Sequence, residues 1–156
     1  MNKEKQHKKQ YTKGFTLIEI LVVIGIIAIL AGVVLVAVSP GRQFKQARDT
    51  QRIANANTIL NAIGQNISDH QGIFFCGGSP VSLPNGFATM TSSGGFDIAT
   101  CLVPEYLPKL PFDPDGRGHY SNEDDYNLAY QVSINEEGRV SVKADGELQG
   151  EIVVTR

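Results

Sequence analysis

One uninterrupted apolar run divides the chain into two parts of different character. Ile20 to Val38 spans 19 residues, all of them apolar except Gly25 and Gly32, and the 22 residues from Ile20 to Gly41 carry no charge. As a helix this uncharged stretch is roughly 33 Å long, enough for a hydrocarbon layer of about 30 Å. A cleavable secretory signal has a shorter apolar region of about 7–15 residues. The pattern therefore predicts a single transmembrane helix.

Beyond this run the chain becomes polar, but its apolar positions keep a helical spacing. The side chains that recur mostly at three- and four-residue steps include Ile59, Leu60, Ile63 and Ile67. They predict an amphipathic helix over 42–72 whose apolar face packs on a head domain, with Gly72 as its stop. Pro40 and Gly41 predict a break between the two helical parts, because proline removes a helix hydrogen bond.

The head, 73–156, divides into two stretches by its pattern. Residues 73–127 are rich in Gly, Pro and Ser, which is typical of loops. From residue 128 the apolar period changes to two, with turn signals at 135–138 and 144–146. Residues 128–156 therefore predict an antiparallel meander of about three strands packed on the helix. The fold class is α+β.

Composition and charge exclude several classes of protein. The chain has a single long apolar run, which excludes a multi-pass transporter. Its 156 residues are too few for a large enzyme in addition to the helices. No nucleophile-elbow, phosphate-loop or zinc-protease motif occurs, and we expect no enzymatic activity. From Ile53 onward 13 acidic residues stand against 5 basic ones. Such a head repels nucleic acid, and we therefore do not expect nucleic acid as a partner.

Positive charge is concentrated on both sides of the apolar run. Residues 1–14 hold five lysines and one glutamate, which argues for a cytoplasmic N-terminus. On the far side, four cations recur at three- and four-residue steps on one helix face: Arg42, Lys45, Arg48 and Arg52. Two interpretations stay open for this face. It contacts lipid headgroups and solvent, or it pairs with acidic head surfaces of neighbouring copies.

Residues 13–19, Lys-Gly-Phe-Thr-Leu-Ile-Glu, followed by a long apolar helix, resemble the cleavage and methylation segment of type IV prepilins and type II secretion pseudopilins. The resemblance implies a prepilin peptidase that cuts between Gly14 and Phe15 and methylates the new amine of Phe15. It also implies a cytoplasmic leader over 1–14 and a type IV pilin-like fold.

Glu19 is the one charged residue at the start of the apolar run. From composition alone it is either a boundary carboxylate that reaches the headgroups or a partner for a positive group, because intramembrane carboxylates are costly unless paired. The resemblance implies the second: the Phe15 amine of a neighbouring subunit pairs with Glu19 and sets the register of assembly.

The resemblance implies a structural subunit that waits in the inner membrane with its head outside. It then polymerises through the helix at 15–41 into an extracellular filament. Expected partners are further copies, the prepilin peptidase, an inner-membrane assembly platform and membrane lipid. One alternative is a pseudopilin of a type II secretion or DNA-uptake system, which the proline-rich segment 110–114 favours. Another is a single-pass anchored binding module.

The only two cysteines, Cys76 and Cys101, lie in the polar region that we expect to be exported. This favours one disulfide, with two buried free thiols as the alternative. The bond would close a loop of about 26 residues and stabilise the head by about 3–4 kcal/mol in the chain-entropy estimate.

An acidic segment follows the proline-rich connection and offers the only candidate for a cofactor. Its five carboxylates are Asp113, Asp115, Glu123, Asp124 and Asp125. Oxygen-rich loops suit calcium, and related pseudopilins bind it, but the spacing does not match an EF-hand. The segment is thus either a solvated acidic loop or a calcium site, and we expect no other cofactor.

Overall fold

The computed structural model describes residues 14–37 and 39–156, and the chain divides into two compact units between Pro40 and Gly41. Helix α1, Leu17–Ala37, belongs to the first unit and has 21 residues. Helix α2, Pro40–Asp69, has 30 residues and leads into the head. Pro40 takes the first helical position, where a missing N–H costs little. The break that we predicted at Pro40 and Gly41 therefore lies before Pro40. Ser39 is non-helical, whereas Pro40 and Gly41 belong to the first turn of α2.

Helix α2 ends just before the predicted stop. Gln71 and Gly72 both have positive φ, 56° and 95°. The Gly72 N–H donates a hydrogen bond to the Ile67 carbonyl at 2.8 Å. This left-handed ending satisfies a carbonyl of the last turn and turns the chain away from the helix axis.

The described part of the head contains two antiparallel sheets and one short helix. The small sheet pairs β1, Phe75–Cys76, with β2, Ser79–Pro80. The larger sheet has the order β3-β5-β6-β7, with β4 also paired to β5. Its strands are β3 (Ala88–Thr91), β4 (His119–Asn122), β5 (Asp125–Ile134), β6 (Val140–Asp145) and β7 (Glu151–Thr155). Helix α3, Ala99–Leu102, lies between β3 and β4 in the chain.

The α+β class and the terminal meander are confirmed, but the prediction of about three strands is too low. Strands β5, β6 and β7 are the meander expected over 128–156, and β5 begins three residues earlier. Strands β3 and β4 come from 73–127, which we expected to be loop. They are only four residues long, too short for an alternating pattern to be recognised.

One hydrophobic core joins α2 to the larger sheet. From α2 it takes Ala56, Ile59, Leu60, Ala62 and Ile63, as the helical spacing predicted. Strand β5 alternates, so that Tyr126, Leu128, Tyr130 and Val132 are buried and the residues between them are half-buried. Because α2 and β5 share this core, α2 from Ala56 onward is packed on the head within a single chain.

The buried Asn66 side chain ties α2 to the disulfide region. Its Nδ2 donates to the carbonyls of Phe75 and Cys101 at 2.9 and 3.0 Å, and its Oδ1 accepts the Phe75 N–H at 2.9 Å. Cys76 and Cys101 form the predicted disulfide. One buried amide and one covalent bond thus fix β1 and α3 against the end of α2.

We predict that loss of the disulfide destabilises the head without changing its fold. The cysteines are 25 positions apart, so the open loop adds about 3–4 kcal/mol of chain entropy to the unfolded state. Urea denaturation of a fragment spanning 41–156, with and without reductant, measures this difference. The control is a Cys76→Ser/Cys101→Ser variant, whose urea midpoint does not change on addition of reductant. Equal urea midpoints for the oxidised and reduced wild-type fragments would contradict the prediction.

Candidate functional site

The start of α1 is built by Thr16 and Glu19, which cap the helix reciprocally. The Glu19 Oε2 accepts hydrogen bonds from the Thr16 N–H at 2.9 Å and from the Thr16 hydroxyl at 2.8 Å. The Glu19 N–H donates to Thr16 Oγ1 at 3.3 Å. This is a capping box, in which two otherwise unsatisfied N–H groups find side-chain partners. Glu19 is therefore held at the first turn of α1 before any second copy arrives.

Gly14 and Phe15 precede this cap in non-helical backbone. Phe15 is 85% exposed, and a Cβ added at Gly14 would meet nothing within 4 Å. The predicted scissile bond between them is therefore accessible in the isolated chain. The rest of the predicted leader, 1–13, lies outside the described residues, as does Val38.

The surface of α1 has no cover within its own unit. Every large apolar side chain that the structure describes in this helix is more than half exposed. The stretch Leu17–Leu35 has a mean hydropathy of 3.0 and is, among the described residues, the one helix long and apolar enough to cross a membrane. A helix that is apolar all round requires lipid or other helices around it.

A second polar feature lies where α2 enters the head. Arg52 is fully buried, and its guanidinium lies among four carboxylates. Its Nε and Nη2 donate to the two oxygens of Asp113 at 2.7 and 2.9 Å, a bidentate pair. Nη1 donates to Asp49 at 2.7 Å, and Nη2 also reaches Asp115 at 2.9 Å. Glu147 accepts from Nη1 at 3.2 Å. We call these five residues the Arg52 cluster.

The cluster joins α2 to the β6–β7 connection as well. Asp49 accepts the backbone N–H groups of Glu147 and Leu148 at 2.8 and 2.9 Å. Arg48, one position earlier on α2, donates from Nε and Nη2 to the two Glu147 oxygens. Two turns of α2 therefore hold two segments of the head that lie 61 to 99 positions away in the chain.

The proline-rich segment 110–114 lies between α2 and β5 and contributes Asp113 to the Arg52 cluster. Leu110 is fully buried in the core. The Phe112 carbonyl accepts Asn55 Nδ2 at 3.0 Å, and the Asp113 N–H donates to the Leu128 carbonyl at 3.0 Å on β5. This segment thus bridges the helix and the sheet, while Asp113 delivers its carboxylate to Arg52.

Charge pairing outweighs burial at the acids of the cluster. Burial works to raise the pKa of Asp113, but the Arg52 guanidinium holds it below its ordinary value. At Asp49 burial is likewise overcome, by the backbone N–H of Glu147 and its neighbour, so that the pKa is lowered. The hydrogen bond from Arg48 lowers the pKa of Glu147 to about 2. All three carboxylates are ionised at neutral pH.

The structure separates the four cations that the sequence placed on one face. Arg52 is buried and Arg48 half-buried in ion pairs, whereas Arg42 and Lys45 are exposed. Sequence analysis missed the Arg52 cluster because its acids are distant in the chain. The one local signal was the Asp49–Arg52 pair at three-residue spacing.

The five acids predicted as a calcium site are not brought together as one group. Asp113 and Asp115 bind Arg52, and Asp115 also accepts Arg117 Nε at 2.7 Å. Glu123, Asp124 and Asp125 lie at the turn between β4 and β5. Within residues 14–37 and 39–156, no group of three or more acidic, histidine or cysteine side chains could hold a metal ion. Arginine supplies the positive charge at Asp113 and Asp115, and calcium binding stays a prediction from the sequence.

Comparison with known proteins identifies the N-terminal part of the chain. The prokaryotic N-terminal methylation motif matches residues 9–35. This confirms the resemblance to type IV prepilins, whose signature it is. The match includes Gly14, Phe15 and Glu19 and most of α1, and it ends before α2. No curated protein and no solved structure matches the chain significantly.

We predict that Arg52→Met destabilises the head by about 3–5 kcal/mol, because a buried ion pair that loses one partner leaves an uncompensated charge. Arg139→Met is the matched control. It breaks an exposed pair with Glu137, which is worth less than about 1 kcal/mol. Urea denaturation of the 41–156 fragment compares the two variants. Equal midpoints for both would show that the buried cluster contributes nothing.

We further predict that acid destabilises the head through the same carboxylates. Their folded pKa values are lowered, so the unfolded state binds protons first as the pH falls. The contribution of these carboxylates to the free energy of unfolding is fully present above about pH 5, and it is lost as the pH falls towards about 2. In Arg52→Met the loss is smaller, because Asp113 no longer has a lowered pKa. Urea midpoints measured across this range test the difference, and parallel profiles for the two proteins would refute it.

Proposed function

We propose that this chain, which carries the N-terminal methylation motif of type IV prepilins, is a structural subunit that polymerises into a type IV pilus-like filament. The observation that carries the proposal is the start of α1. A helix with an apolar surface and no cover in its own unit begins at a held carboxylate, Glu19, five positions after the predicted cleavage point.

Cleavage between Gly14 and Phe15 converts a neutral peptide nitrogen into a cationic amine. Before cleavage, Phe15 has no charge to offer to Glu19 of another copy. After cleavage and methylation, the amine of one subunit neutralises Glu19 of the next inside a bundle of α1 helices. Both charges are costly in an apolar surrounding unless they meet. The pair therefore selects the stagger at which the helices assemble, while apolar packing supplies the driving force.

Thr16 has a supporting part in this scheme. Its N–H and hydroxyl hold Oε2 of Glu19 at the N-terminal end of α1, so the carboxylate is presented where a neighbour's N-terminus can reach it. The other oxygen, Oε1, is left for the incoming amine. The capping box thus positions the acid before assembly and need not be broken by it.

The head and the location follow from the same proposal. The lysine-rich leader is cytoplasmic, α1 is stored in the inner membrane, and the head lies outside it, where the disulfide is stable in an oxidising compartment. Partners are the prepilin peptidase, the assembly platform, lipid and further copies. The methylation motif is that of structural proteins, and we assign no enzymatic activity.

A pseudopilin of a secretion or DNA-uptake machine is the second candidate. What favours it is the resemblance of the proline-rich segment 110–114 to the connection found in major pseudopilins. In this chain that segment is seated between α2 and β5 through Asn55 and Arg52. Both candidates share the cleavage and the α1 bundle. They differ in whether the filament reaches the cell surface or stays a short piston, which electron microscopy of surface fibres with antibody to the head decides.

We predict that Glu19→Gln abolishes filament assembly but permits membrane insertion and cleavage. The glutamine carbonyl can still accept the Thr16 hydrogen bonds, but it cannot neutralise the amine, and filament yield falls about a hundredfold or more. Glu19→Val removes both the capping oxygens and the negative charge, and it lowers the filament yield by the same factor. Yield is measured by immunoblotting of sheared filaments, and cleavage by mass spectrometry of the membrane fraction.

Thr16→Val is the matched control, because it removes the capping hydroxyl and keeps the carboxylate. It assembles within about threefold of the wild type, since a lost cap costs only about 1 kcal/mol. Normal assembly of Glu19→Gln together with failure of Thr16→Val would show that Glu19 acts as a helix cap and has no intermolecular partner.

A further inference from the structure

The first two turns of α2 have no tertiary partner in the described part of the head. Every residue from Pro40 to Ala47 is exposed, and the helix first meets the head at Arg48 and Asp49. Since 41–47 is regular helix, this segment extends roughly 10 Å beyond the Arg52 cluster. We call it the free segment.

The free segment presents two cations on one face of the helix. Arg42 and Lys45 lie three positions apart, on neighbouring sites of that face. Phe44, which is 65% exposed, points to a different face, because residues one or two positions apart on a helix do not face the same way. Among the residues that the structure describes, neither cation has an acidic partner, whereas Arg48 and Arg52 further along the helix are fully used in ion pairs.

A complementary surface lies on the head at the turn between β4 and β5. Glu123, Asp124 and Asp125 are three consecutive carboxylates at this turn. Among the described residues their one contact with a basic side chain is the exposed His119, whose Nε2 lies 3.3 Å from an Asp125 oxygen. Tyr120 on β4 is half-buried beside them, its ring tilted against that of Tyr126 at 6.0 Å. In the part of the chain that the structure describes, no lysine or arginine pairs with these three acids, whereas Glu137 at the β5–β6 turn is paired with Arg139. The turn therefore offers negative charge that complements the two cations of the free segment.

We infer that Arg42 and Lys45 of one subunit bind the acidic turn 123–125 of a second copy in the filament. This inference rests on the proposed function and names the partner surface that the filament uses outside the α1 bundle. Lipid headgroups can neutralise the two cations only while the subunit is stored in the membrane. A subunit extracted into a filament loses that partner, and the head, with 13 acidic residues against 5 basic ones from Ile53 onward, supplies the replacement.

Charge reversal in the full-length chain tests the inference. Arg42→Glu/Lys45→Glu and Glu123→Lys/Asp124→Lys each lower the yield of sheared filaments by about tenfold, because like charges then face each other. The two pairs combined in one chain restore opposite charges and return the yield to within about threefold of the wild type.

Glu136→Lys/Glu137→Lys is the matched control, because it reverses two consecutive carboxylates at the β5–β6 turn. It leaves the yield within about twofold of the wild type. A combined variant that assembles no better than the single reversals overturns the inference, and so does an equal loss in the control. If the uncleaved Arg42→Glu/Lys45→Glu variant is depleted from the membrane fraction, the inference is also overturned. That result would show that Arg42 and Lys45 bind lipid headgroups.

The same assay separates this inference from the proposed function. If the wild type forms filaments and Glu19→Gln does not, the proposed function is supported, whatever the filament yields of the charge-reversal variants. A wild-type chain that is cleaved but never polymerises refutes the function, and the inference with it.

Discussion

A long apolar helix with no cover within its own unit is the constraint on which the rest of the molecule depends. The large side chains of α1 are exposed from Leu17 to Leu35, and burial of such surface in water-free surroundings is worth about 25 cal/mol per Å². Lipid and neighbouring helices can both provide that burial. Under the proposed function the subunit is either stored in a membrane or assembled, and the charge at the helix start distinguishes the two states.

The Arg52 cluster has a different task, which is to fix where the helix meets the head. Ion pairs in a protein interior gain little net stability, because desolvation offsets attraction. They are nevertheless selective, because a misplaced loop leaves Asp113 or Asp49 buried without its partner. The cluster therefore specifies one seating of the proline-rich segment and of the β6–β7 connection on α2. The hydrophobic core, from Ala56 onward, provides the burial that this seating requires.

Sequence patterns predicted the parts of the molecule whose signals are local. The uncharged run, the spacing of Ile59 and Ile63 and the alternation along β5 are each readable within a short window. The Arg52 cluster could not be predicted, because its acids come from positions 49, 113, 115 and 147 and only folding brings them together. The four-residue strands β3 and β4 are stabilised by their pairing with β5 and have no pattern of their own. The capping box was not predicted, although threonine followed three residues later by glutamate is its local signature.

The central claim is that Glu19 finds its charge partner on another copy. Electron cryo-microscopy of the filament, at a resolution that shows side chains, tests it most directly. We predict a chain that starts at methylated Phe15, with its amine within about 3 Å of a Glu19 oxygen of the neighbouring subunit. A filament in which Glu19 contacts only its own Thr16, or a mature chain that still carries residues 1–14, would contradict the account.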